Sequence, residues 1–151
     1  MFDVELDGLD ELKEAIRGAE LMLGRGVTRA VQMACEEGAE EARSRHAYTS
    51  RSGNLESKTT GYLTVSGPDF AKGEIVADAP YASYVENGRG PVIASGKALR
   101  FEAPGGGILF RRSVKAAKAF PFMGLAYLKA EAVLEREAEI TLAAAAALFN
   151  R

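Results

Sequence analysis

Apolar residues at the start of the chain alternate with acids, Phe2, Val4 and Leu6 against Asp3, Glu5 and Asp7. That two-residue period predicts a half-buried strand. After Asp7-Gly8 the period lengthens: Leu9, Leu12 and Ile16 recur every three or four residues between charges, which predicts a short amphipathic helix. Gly24 and Gly26 are poor helix-interior residues, so a break is expected there. A second, longer helix follows from about Val27 to Arg45, with Val27, Ala30, Val31, Ala34, Gly38 and Ala42 on one face. Seam residues this small let a helix or a sheet approach closely.

Residues 46–57, "HAYTSRSGNLES", are polar and turn-like. Next, "KTTGYLTVSG" and "KGEIVADAP" carry β-branched and aromatic residues on either side of Gly67-Pro68-Asp69, the pattern of a hairpin. A second strand-like pair, "KALRFEAP" and "GILFRRSV", is joined through Pro104 and three glycines, which predicts a long, mobile hairpin. From Pro121 to about residue 150 no helix breaker follows Gly124, and strong helix formers dominate; one long C-terminal helix is expected, its alanine run at 143–147 included. The expected architecture is a single α+β domain over residues 1–151, a small antiparallel β-sheet packed against long α-helices with a protruding β-hairpin. Its parts are an N-terminal strand and helices (1–46), the sheet, short helix and hairpin (58–118), and the C-terminal helix (121–150).

Composition narrows the function classes. At 151 residues and 47% hydrophobic content the chain has enough material for one real core. Charged residues make up 26% with a formal net charge of -2, so the whole chain lacks the positive surplus that drives non-specific nucleic-acid binding, and any DNA contact has to be local. Cys35 is the only cysteine, no signal-like segment opens the chain, and no apolar run approaches the roughly 18 residues that span a bilayer. Synthesis in the cytoplasm and no membrane partner are expected.

Candidate chemistry is sparse. His46 is the only histidine, so neither a His-rich metal cluster nor a spaced partner ligand for Cys35 exists. Cys35 and His46 would stand roughly 16 Å apart along one helix at 1.5 Å per residue, too far for a nucleophile pair. Ser50 and Ser52 with Asp78 and His46 lack a Gly-x-Ser-x-Gly elbow and read as turn residues. The "GRGPVI" stretch lacks the third glycine of a dinucleotide fingerprint and the Lys-Ser/Thr of a phosphate loop. No catalytic residue, metal ligand or cofactor is assigned.

The densest stretch is "APYASYVENGRGPV", residues 79–92. It reads as a short helix, with Asp78 as its cap, Pro80 in its first turn, Gly88 ending it in a left-handed conformation, and Tyr81 and Val85 on one face. Glu86 has no second acid nearby for acid–base work and is expected to accept a hydrogen bond at the surface or across a subunit interface. Charge is uneven further on: Arg89, Lys97, Arg100, Arg111, Arg112, Lys115 and Lys118 face one acid, Glu102, while the last helix carries Glu131, Glu135, Glu137 and Glu139. One basic and one acidic surface are expected, suited to matching neighbouring copies or to placing positive charge near DNA.

These motifs together resemble the HK97 gp10-like family of tailed-phage neck and tail-completion proteins. The opening Phe2 to Leu12 looks like the family's "F-x-V-x-L-x-G-L-D-E-L" start. "HAYTSRSGNL" looks like a segment that usually reads Ala-Pro-x-Asp/Thr-x-Gly-x-Leu, with Gly53 and Leu55 in place but Tyr48 where proline is expected. "YASYVENGRGP" matches Tyr-Ala-x-x-Val-Glu-x-Gly-x-Gly at every defined position: Tyr81, Ala82, Val85, Glu86, Gly88 and Gly90. "AFPFMGLAYLKAE" is similar to the family's "PFLRPAL" segment without its arginine and second proline.

The resemblance implies a non-enzymatic structural protein of a phage virion, made in the bacterial host and placed in the neck or tail. It would form a homo-oligomeric ring that joins a head-closure or connector protein to a tail-terminator or tail-tube protein. DNA would pass through the lumen without being read. Apolar patches exposed in the monomer would be covered when the ring forms. Arg89, Lys97, Arg100, Arg111, Arg112 and Lys115 are the candidate intersubunit or lumen contacts, and the 97–114 hairpin and N-terminal strand the candidate reaching elements. The alternatives are a small hydrolase with a site near Glu86 or Ser50, and a DNA-binding module built on the basic 89–118 stretch.

Overall fold

The computed structural model describes residues 9–50, 52–102 and 105–150. The N-terminal strand expected from Phe2 to Leu6 lies outside them. Helix α1, Leu9–Ser44, is followed by a one-turn helix α2, Asn54–Ser57, and by strands β1, Thr59–Ser66, and β2, Ala71–Ala77. Helix α3, Ala82–Asn87, leads into β3, Val92–Ile93, and β4, Leu99–Glu102; β5, Ile108–Arg111, and β6, Ser113–Val114, return the chain. Helix α4, Met123–Ala146, runs into a 3₁₀ turn, Ala147–Asn150. The protein is α+β, with each antiparallel sheet two-stranded. Among the described residues no helix is long and apolar enough to cross a membrane.

The expected break at Gly24 and Gly26 does not occur; α1 runs through both. Their role is room rather than freedom. A β-carbon on Gly24 would fall 2.1 Å from the Pro68 carbonyl oxygen, and one on Gly26 2.1 Å from Thr141 Cγ2. Tertiary packing therefore outweighs the roughly 1 kcal/mol that each glycine costs a helix interior. The expected small-residue seam holds, with Ala30, Ala34, Gly38 and Ala42 buried. It packs α1 against both α4 and the β1–β2 hairpin, whose Gly61 lies so close to the Cys35 carbonyl that a side chain there would collide with main chain. Leu9, Leu12 and Ile16 are helical as expected, yet each is more than 40% exposed, so the apolar face at that end stays bare.

The β1–β2 hairpin forms where the sequence places it and is closed by the Gly67 N–H donating to the Phe70 carbonyl at 2.8 Å. At the opposite end of α1 sits a core of Ala42, Leu55, Ala79, Phe122 and Ala126, with Phe122 and Leu55 essentially inaccessible. Burying these two side chains contributes on the order of 2–3 kcal/mol each. Salt bridges tie α1 to α4: Glu37 meets Lys129 and Arg136 at 3.0 Å, and the buried Glu137 meets Arg29 at 3.6 Å and, within α4, Arg136 at 3.2 Å. The Lys129 and Arg136 hydrogen bonds hold the Glu37 carboxyl below its ordinary range. Glu137 therefore does not belong to the acidic surface expected of the last helix.

Candidate functional site

The motif residues converge on a joint where α2, α3 and the start of α4 meet. Gly53 adopts φ 65°, a left-handed turn that launches α2. Leu55, two residues on, then drops into the core against Phe122. Thr59 closes the turn behind it, donating its hydroxyl to the Leu55 carbonyl at 2.7 Å. Tyr48 stands edge-on to Phe122 with ring centroids 5.7 Å apart and stacks on His46 at 3.9 Å. Ala82 and Val85 pack on the same core from α3. The Val85 N–H donates to the Tyr81 carbonyl, which places these two residues one above the other as expected.

Glu86 has a job inside the chain. One of its oxygens, Oε2, accepts from the backbone N–H of Phe122 at 2.8 Å and of Met123 at 3.0 Å. It thus caps the first turn of α4 from a distance, matching unpaired donors and the positive end of the helix with a carboxylate. This corrects the expectation of a surface or intersubunit acceptor. The sequence did carry a signal for it: "AFPFM" at the head of α4 has no Ser, Thr, Asp or Asn to serve as a local cap. Asp78 is corrected too, since Tyr81 occupies the cap position of α3 while the Asp78 N–H donates to Lys58. Gly88 ends α3 with φ 71° and ψ -178°, a conformation open almost only to glycine. Gly90 has neither a positive φ nor a close neighbour.

A cleft of about 600 Å³ opens between the 48–56 loop and α3, with Leu55, Val85 and Phe120 in it, three tyrosines (Tyr48, Tyr81, Tyr84) around it, and Arg89 and Lys118 at its edge. Ser50 and Glu56 also line it, whereas Glu86 does not. Ser50 Oγ accepts from the Gly53 N–H at 3.3 Å, a turn contact. His46 Nδ1 faces the Tyr48 carbonyl at 3.0 Å, and Nε2 lies 3.3 Å from Glu56 Oε1 without reaching hydrogen-bond geometry. Burial pushes the Glu56 carboxyl up, but its own backbone N–H, the Ser50 and Tyr48 hydroxyls and His46 outweigh that and hold it below the ordinary range. Burial, then the Glu56 charge, pushes the Tyr48 hydroxyl up to about 12. Cys35 is buried under the hairpin, its thiol pushed up by burial and by Glu36 and Glu74. The described contacts do not assemble Ser50, Ser52, Asp78 and His46 into a triad.

Apart from Arg89 at the edge of the cleft, the basic candidates lie on an arm. Reciprocal main-chain hydrogen bonds between Arg89 and Ala117 begin a two-stranded ribbon, which continues through Val92–Val114 and Ile93–Ser113. The Ala94 N–H still donates to the Arg112 carbonyl at 2.9 Å, and residues 95–98 then bulge out before Leu99 to Glu102 pair with Arg111 to Ile108. The expected hairpin is therefore present and is extended toward the body by β3 and β6, which the sequence reading missed. Lys97, Arg100, Arg111, Arg112 and Lys115 are exposed and Arg89 is half-buried at the foot; none forms a salt bridge among the described residues. No family model, curated protein or solved structure matches this chain.

Proposed function

We propose that this chain is a structural subunit of a tailed-phage virion or phage-like particle, assembling into a ring at the head–tail junction. Its own chemistry supports assembly over catalysis: the motif's one carboxylate, Glu86, is committed to the start of α4. The observation that carries the reading is the arm. It presents Ile93, Phe101, Ile108, Leu109 and Phe110 to solvent alongside cations that form no salt bridge among the described residues, and exposed strands of this kind are surfaces awaiting a partner. The motif resemblance supplies the setting, with a head-closure or connector protein on one side and a tail-terminator or tail-tube protein on the other.

The test is the mass of the purified protein by light scattering, alone and mixed with neck proteins. A ring-sized species in either sample is expected, and a monomer in both sinks the proposal. The exposed cations also favour a second reading, a local DNA contact. Its signature is duplex binding that falls steeply with salt and is lost when Arg100, Arg111 and Arg112 become glutamine.

A further inference from the structure

The arm and the outer face of α4 are complementary, and neither has a partner among the described residues. Across β4 and β5, Arg100 stands opposite Phe110 and Leu99 opposite Arg111. Opposed residues share a face of the ribbon, so both faces mix guanidinium with apolar surface. Ile93 is 75% and Phe110 65% exposed. On α4, the side away from the buried Ala126, Val133 and Glu137 carries Leu128, Glu131, Glu135, Glu139 and Leu142 at helical spacing, all exposed. Lys129 and Arg136 are turned to α1 and consumed by Glu37 and Glu137. Among the described residues no cation stands against the outer acids.

Length and charge select the pairing. The ten residues of the return strand from Ile108 to Ala117 extend about 33 Å at ~3.3 Å each, and the 24 residues of α4 about 36 Å at 1.5 Å each. Arm against arm sets base on base, and α4 against α4 sets acid on acid; of these pairings, arm against α4 is the attractive one. We infer that the arm of one copy lies along the outer face of α4 of a second copy. The face that carries Arg100 and Phe110 is the one applied: Arg100 then faces Glu131 and Glu135, and Phe110 covers Leu128. The contact is head-to-tail, so each copy gives an arm and receives one. It rests on the assembly reading above and names the two surfaces that join.

The experiment is a charge swap read by light scattering at low salt, with helicity by circular dichroism as the folding control, since Arg100, Glu131 and Glu135 are all exposed. Arg100→Glu, and separately Glu131→Lys with Glu135→Lys, are each expected to reduce the wild-type assembly to monomer. An equimolar mixture of the two should regain the wild-type mass, because each supplies the sign that the other reversed. Phe110→Ser should weaken assembly without changing charge. If both variants keep the wild-type mass, the contact is wrong while the assembly reading stands. If the mixture stays monomeric but one chain carrying all three changes assembles, the arm lies on its own helix and the inference fails. A wild-type chain that is monomeric alone also overturns it, and the mixture with neck proteins then decides the ring reading separately.

Discussion

The joint and the arm leave one another at Arg89 and Ala117, and they treat polar and apolar groups in opposite ways. In the joint, Leu55 and Phe122 are buried, Glu86 is matched to two main-chain donors, and Gly88 sits where no side chain fits. On the arm, cations and large apolar side chains alike face solvent, held by the ladder of two strands. A recognisable motif therefore marks the part of the molecule that is finished, whereas the unfinished part carries little pattern of its own. Substitutions in the first should be read out as stability, and substitutions in the second as association.

The sharpest break comes from the joint's core. Phe122→Ala should cost about 3–5 kcal/mol and Leu55→Ala about 2–5 kcal/mol by denaturant unfolding, because each removes a buried side chain from the same core. Gly88→Ala should cost about 2–3 kcal/mol, since its backbone conformation is foreign to alanine and the new β-carbon would stand 2.8 Å from the Ala117 oxygen. Gly90→Ala, in the same motif, should change stability by less than about 0.5 kcal/mol; equal effects at the two glycines would contradict the distinction drawn between them. Glu86→Ala should cost about 1–2 kcal/mol and Glu86→Gln less, because the amide still accepts but no longer opposes the helix dipole.

Acid should loosen the joint before the arm changes. Because the folded carboxyl of Glu56 is depressed, its contribution is present above the unfolded value of 4.5 and is lost as pH falls through the lower folded value. Unfolding of Glu56→Gln should accordingly lose part of its pH dependence below about 4.5, read from denaturant midpoints between pH 3 and 6. The smallest effect belongs to the arm: Phe110→Ser should leave monomer stability within about 0.5 kcal/mol.

Much of the fold was legible because periodicity reports local burial. The Ala30–Ala42 seam, the β1–β2 hairpin, α3 and α4 all follow spacings visible in the chain. The break at Gly24 and Gly26 was misjudged because propensity cannot see Pro68 and Thr141 arriving from elsewhere. Glu86 was misjudged for the same reason, as its partners stand 36 and 37 residues away. Glu137 looked like one of four surface acids because its neighbour Arg29 lies on another helix. Strands β3 and β6 are two residues each, too short for a period of two to declare itself.

The foot of the arm has a mechanical meaning. Both its legs are clamped beside the first turn of α4, through the Arg89–Ala117 pair and the Phe120 N–H that donates to Val85. Glu86 grips that turn one residue along α3 from Val85. The ribbon is thus a lever whose fulcrum is the cap of a helix: force applied to its tip by anything that grasps it is delivered to the main chain at Phe122, a fully sheltered side chain of the core.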